Sequence, residues 1–354
     1  MLYPRKLSEL SEELFRNPTS EYRGAPFWAW NTKLTKDELL EQIDNFKIMG
    51  MGGFHIHSRT GLAIDYLGEE FMDLVKSCNE KAKEEGMLCW LYDEDRWPSG
   101  FAGGYVTKDS RYRERFLVFT PFLYENMEEE ISHLLPGGRT VKGKNRKLLA
   151  RYEVTLEDGY LVYYQRLKEE ETGKQGKIWY AYLEISGDDP WFNNQAYVDT
   201  LNREAIEKFI EVTHQRYYEV LGEDFGKSIP AIFTDEPQFM RKDCLSFSEE
   251  EREVILPFTD DLEESYYEIY NQSLLDHLPE LIWELPDNKT SLVRYRYHDH
   301  VTERFVQAFA DTIGEWCEKH GIMLTGHMME ESTLESQTAA IGEAMRPLRS
   351  FGLP

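Results

Sequence analysis

The chain reads as an α/β protein built on a (β/α) TIM-type barrel, incomplete at its C-terminus and carrying a small inserted antiparallel β subdomain. Three observations point there. Short apolar runs alternate with amphipathic helical stretches over short connections, which is the pattern of parallel βα units. A hairpin-rich segment interrupts that rhythm. Only five such runs occur, and closure takes about eight, so about three βα units are expected beyond this sequence.

The first run is Pro26-Phe27-Trp28-Ala29-Trp30-Asn31, followed by Thr35-Lys36-Asp37-Glu38, a capping box that opens a helix. That helix sets Leu39, Ile43 and Phe46 on one face and stops at Gly50. The second strand is Gly52 to Ser58. A helix from about Glu69 follows, with Phe71, Leu74, Val75, Cys78 and Ala82 at helical spacing up to Gly86, and the third strand is Met87 to Asp93. An open dinucleotide-binding sheet would carry a Gly-rich phosphate turn after its first strand, where this chain has Asn31-Thr32-Lys33-Leu34. A barrel is therefore preferred.

From about Arg111 to Pro190 the pattern changes. Tyr152 to Leu156 and Tyr160 to Tyr164 flank the turn Glu157-Asp158-Gly159, and Ile178 to Leu183 reads as another strand. The basic, Gly-rich stretch Gly137 to Lys147 is expected to be an exposed loop. The rhythm resumes with one helix bearing Ile206, Phe209, Ile210, Thr213 and Tyr217, then strand four, Ile229 to Thr234. A long, acidic, aromatic excursion is expected over about Gln238 to Thr290. Then come a helix with Val301, Phe305, Ala308 and Trp316 inward, strand five at Ile322 to His327, and a helix start near Glu343. The chain thus divides into a barrel domain at 1–110 and 191–354 and an inserted subdomain at 111–190.

Forty Lys plus Arg against 65 Asp plus Glu leave a net charge of −25. Such a field repels nucleic acid and anionic membrane surfaces and favours a neutral partner such as a carbohydrate, though it equally serves solubility. The N-terminus has no apolar core of signal-peptide length and no long apolar run occurs, so a cytoplasmic place is expected. Cys78, Cys89, Cys244 and Cys317 have neither disulfide-framework nor zinc-site spacing.

Barrel active sites lie at the C-terminal strand ends, and here every run ends in ionisable or sugar-binding groups. Glycoside cleavage needs two carboxyl groups, one giving a proton and one ionised. Glu236, closing strand four beside Asp235, suits the acid, and Glu330 or Glu331 beyond strand five suits the partner. Trp30, Asn31, His55, His57, Asp93, Asp95, Trp97, Asp235 and His327 are the candidate sugar-binding residues. Plainer readings stand beside these. Asp235-Glu236-Pro237 could merely turn the chain, Glu330 and Glu331 could be acids at a helix start, and tryptophans on strands are often core. His55 and His57 share a strand face and with His327 could instead gather a metal, as in amidohydrolase-like enzymes. A non-catalytic carbohydrate-binding fragment is a third reading.

Arg23-Gly24-Ala25-Pro26-Phe27-Trp28-Ala29-Trp30-Asn31, Met49 to Phe54, Tyr92 to Gly100, Phe233 to Pro237 and Thr325-Gly326-His327 together resemble the α-L-rhamnosidase-like family 106 of glycoside hydrolases and its relatives. The resemblance implies inverting hydrolysis of a terminal sugar by a Glu acid and a Glu base. It also implies accessory β-domains or a C-terminal barrel half beyond this chain, and bound calcium as the one cofactor to expect.

Overall fold

This computed structural model describes Leu2 and residues 11–135, 138–168, 170–174 and 176–354. After a single-turn helix α1 (Glu12–Arg16) come β1 (Phe27–Trp30), α2 (Lys36–Ile48), β2 (Gly53–Ser58), α3 (Glu69–Glu85) and β3 (Leu88–Tyr92). Thr35 caps α2 by accepting the Glu38 N–H, and its hydroxyl donates to the Glu38 carboxylate at 2.6 Å. Leu39 and Ile43 of α2 are buried, as are Phe71, Leu74, Val75, Cys78 and Ala82 of α3. Gly86 ends α3 at φ 65°, a left-handed position that glycine enters without steric penalty.

The insertion contributes β4 (Arg115–Thr120), β5 (Ile131–Leu134), β6 (Thr140–Glu157), β7 (Tyr160–Leu167) and β8 (Lys177–Ser186). Asp158 at φ 49° and Gly159 at φ 83° make the expected hairpin turn between β6 and β7. The basic stretch read as a loop is corrected here. From Thr140 onward it is the first part of β6, paired with β5 and β8, while Gly137 lies outside the described residues. Lys142 and Lys147 are exposed and Arg146 is buried, with strict alternation interrupted by a register irregularity between Lys144 and Lys147. There Arg146 Nε donates to Glu184, and His133 bridges Glu184 at 2.8 Å and Glu253 at 2.9 Å.

The chain then forms α4 (Arg203–Val212), α5 (His214–Leu221), β9 (Ala231–Thr234), β10 (Val254–Pro257), α6 (Leu262–Tyr270), α7 (Leu292–Phe305), a π-helical segment (Val306–Asp311), α8 (Thr312–Lys319), β11 (Met323–Gly326), α9 (Leu334–Ala340) and α10 (Met345–Leu348). The single helix expected from Ile206 to Tyr217 breaks at Thr213, whose hydroxyl donates back to the Phe209 carbonyl at 2.8 Å. The excursion after Gln238 holds β10 and α6. Its β10 pairs antiparallel with β4 and so joins the inserted sheet.

Two sheets result. One is all parallel, in the order β1-β2-β3-β9-β11, and the other is antiparallel, in the order β10-β4-β8-β6-β5 with β7 on β6. Among the described residues the parallel sheet is open rather than closed into a barrel. At one edge Leu353 makes a parallel bridge to Thr325 of β11. The pleat of β1 sends Trp28 and Trp30 beneath the helices and Phe27 to the opposite, inner face, where it remains 48% exposed. Among the described residues no helix is long and apolar enough to cross a membrane.

The buried ion cluster of the antiparallel sheet makes a testable demand. Burial alone would lower the His133 imidazolium, but the carboxylates of Glu184 and Glu253 outweigh it and hold the group up at about 9. Its contribution to stability is therefore complete below the ordinary histidine value near 6.5 and is lost as pH rises through about 9. Glu184→Gln leaves Arg146 and His133 without their shared counter-charge, and should cost about 3–5 kcal/mol at pH 6 in urea unfolding, with a smaller loss at pH 10. Equal losses at both pH values would contradict the assignment.

Candidate active site

The site is built where the C-terminal ends of β2, β3 and β9 meet. Alternation along these strands turns His57, Tyr92 and Asp235 to the inner face. Tyr92 Oη donates to Asp235 Oδ2 at 2.9 Å, and His57 Nε2 stands 3.6 Å from the same oxygen. The His57 ring meets Tyr92 edge-on with centroids 4.0 Å apart. Below them Phe27 and Phe233 continue an aromatic floor, 4.9 Å apart.

Glu236 follows at φ 48°, a left-handed backbone for a residue with a Cβ, and its N–H donates to the His327 carbonyl at 3.2 Å. Glu330 is likewise left-handed, at φ 58°. Such backbones are disfavoured in non-glycine residues and concentrate at functional sites. Burial pushes the Glu236 carboxyl above the usual glutamate range, and the Asp235 charge adds to it. Glu331 and Glu330 push the same way, against His327. These groups, drawn from β9, β11 and the loops after them, thus share one electrostatic neighbourhood. Glu236 and Glu330 are half-buried, and Glu331 and His327 are exposed. Glu330 Oε1 accepts from Arg241 Nη1 at 2.9 Å, and Glu331 Oε1 accepts the Met328 N–H at 2.8 Å.

The loop after β3 is anchored by two buried acids. Glu94 accepts five backbone N–H groups, those of Asp95 and Gly103 on Oε1 and of Gly100, Phe101 and Ala102 on Oε2. Burial pushes its carboxyl up while these donors pull it down. Asp93 accepts the Ser99 hydroxyl at 2.5 Å, and burial pushes it up to about 8. Ser99 also joins the loop to β9: its N–H donates to the Asp235 carbonyl and its Oγ accepts the Asp235 N–H, both at 2.8 Å. The loop carries Trp97, whose ring lies 5.5 Å from that of Trp191, and Trp191 Nε1 donates to the Trp97 carbonyl.

Four of the expected sugar-binding residues are corrected. Trp30 is wholly buried, edge-on to Phe71, because the pleat points it at the helices. Asp93 is wholly buried for the same reason, one position out of phase with Tyr92. His55 stands in register with Phe27, the first residue of β1, with Nδ1 at 3.1 Å from the Ala25 carbonyl, so it lies toward the N-terminal end of the sheet. Asp95 is buried in a pair with Arg96 at 2.8 Å. Asn31 is exposed at the end of β1. Tyr92, Ser99, Glu94, Arg241 and Trp191 carry roles not assigned from sequence. For Tyr92 a signal existed, since strand alternation places it on the face of Trp90 and opposite to Asp93. Among the described residues no three His, Cys, Asp or Glu side chains gather as metal ligands.

Glu94→Gln replaces one acceptor oxygen with an NH2 group and strands two or three of the loop N–H donors. Hydrogen exchange at Gly100 to Gly103 should accelerate and global stability should fall by about 2 kcal/mol or more. Unchanged protection of these amides would contradict the anchoring role.

No family model and no curated protein matches the chain. Among solved structures it is similar to a rhamnosidase from Novosphingobium sp. PP1Y, with a TM-score of 0.58 and 11% identity over 97% of this chain and 49% of that one. The chain spans about half the length of that structure. The likeness is one of fold: a mixed α/β arrangement with a parallel and an antiparallel sheet, similar to that of a glycosidase.

Proposed function

We propose that this chain is part of a glycoside hydrolase that removes a terminal sugar by a two-carboxylate acid/base mechanism, with an α-L-rhamnoside as the first substrate to try. The observation that carries this is the pairing of unlike carboxyl groups at the ends of β9 and β11. Glu236 is half-buried and pushed up by burial and by Asp235, whereas Glu330 is ion-paired with Arg241. A carboxyl raised by burial suits the acid, and one held by an arginine is placed to serve as the base. The fold likeness to a rhamnosidase supports the same reading.

In this mechanism the Glu236 proton passes to the glycosidic oxygen as that oxygen's bond to the anomeric carbon breaks. Glu330 takes a proton from a water whose oxygen bonds to the anomeric carbon from the opposite face, which inverts the centre. Glu331 is the alternative base. His57, Asp235, His327 and Asn31 offer hydrogen bonds to sugar hydroxyls, and the Trp97–Trp191 pair offers an apolar platform. No step is routed through a metal.

We also propose that further βα units, from more of a longer chain or from a partner, extend the parallel sheet toward a closed barrel. Support comes from exposed Phe27 on the inner face and from the bridge between Thr325 and Leu353. Accessory β-domains belong to the same proposal.

Two measurements test the acid assignment. Glu236→Gln should slow hydrolysis of an alkyl glycoside by about 10²–10⁴-fold, and that of a 4-nitrophenyl glycoside far less, since nitrophenolate leaves without a proton. Equal rates for wild type and variant on the alkyl substrate would sink the assignment. A general acid must be protonated, so activity falls as pH rises through the raised Glu236 value. Asp235→Asn removes a charge that raises it, and the alkaline limb of the pH–rate profile should move to lower pH. A limb that stays put or moves up contradicts the electrostatic account.

A further inference from the structure

A cavity of ≈ 1000 Å³ opens where the β6–β7 turn, the segment after Met240, α7 and α9 meet. Its lining includes Arg241, Lys242, Arg294 and His298. The same lining carries the carboxylates of Asp158, Asp243, Glu284 and Glu335, so it is mixed in charge. Lys242 is buried, and its Nζ has no hydrogen-bond partner. The Phe239 ring face lies 4.9 Å from that ammonium. His298 Nδ1 is likewise buried without a partner, and its ring lies within charge range of Lys242.

The carboxylates nearby are committed elsewhere. Asp243 is paired with Arg252, and Glu284 with Arg294, which also donates to the Trp283 and Glu280 carbonyls. Asp158 and Glu335 are exposed. An unpaired buried ammonium is costly, by several kcal/mol, unless it loses its proton or meets an anion. Burial alone pushes Lys242 down to about 7, so the group sits where a counter-charge would tip it to the ammonium form.

We propose that this cavity binds an anionic group, a carboxylate or a phosphate, against Lys242 and His298. The site is distinct from the strand-end rim but shares Arg241 with it, because Arg241 lines the cavity while holding Glu330 at 2.9 Å. Ligand charge here therefore bears on the carboxylate proposed as base, whatever the rim acts on. The inference does not depend on glycosidase activity.

Titration calorimetry and thermal melting with sodium phosphate and with sodium glucuronate test it. Wild type should bind at least one of them saturably at one equivalent, with a rise in Tm. Phosphate alone points to a phosphorylated ligand, glucuronate alone to an acidic sugar, and both to a general anion site. Lys242→Met should weaken binding at least tenfold. His298→Leu, which leaves the ammonium in place, should weaken it as well and carries the test if Lys242→Met fails to fold. Absence of saturable binding of either anion to wild type, or binding unchanged in the folded variants, would overturn the proposal.

Discussion

The clasp between Ser99 and Asp235 is the contact on which the proposed site depends. Through one residue, the loop after β3 exchanges two backbone-directed hydrogen bonds with the end of β9, and the same hydroxyl closes onto Asp93. This fixes the Asp235 backbone, and the orientation of Glu236 follows from it. The loop can reach this position because Glu94 gathers five of its N–H groups at a single carboxylate. In a buried turn those donors would otherwise be orphaned, at about 1–3 kcal/mol each.

On that frame, electrostatics separates otherwise similar acids. Asp235 takes a tyrosine hydroxyl and faces a histidine, so it is held in place among hydrogen-bonding groups. Glu236, one residue on and left-handed, has its backbone N–H tied to the His327 carbonyl and its side chain in a half-buried setting crowded by acids. The acid and base roles proposed here thus rest on partial burial and on one arginine, and the net acidity of the chain is secondary.

Much of this was legible from the sequence. The five parallel strands fall where the apolar runs put them, and β9 and β11 are neighbours, with the Glu236 N–H donating to the His327 carbonyl. Two of the four corrections, Trp30 and Asp93, share a cause, strand-end position without phase. Alternation turns both to the helix layer and brings Tyr92 to the site. The rest is non-local. Neither the charge-rich start of β6 nor Arg146 within it announces a partner at Glu184, 38 residues on. Trp97 and Trp191 meet across 94 residues, at the far end of the insertion. The Glu94 anchor exists only once its loop has turned back on itself.

The central claim is that partial burial and the Asp235 charge raise the Glu236 carboxyl above the ordinary glutamate range. The carboxyl carbon can be followed by ¹³C NMR in glutamate-labelled protein, with the resonance assigned by its loss in Glu236→Gln. Titration above the ordinary glutamate value of 4.5 is the predicted result, and titration at or below 4.5 would contradict the account.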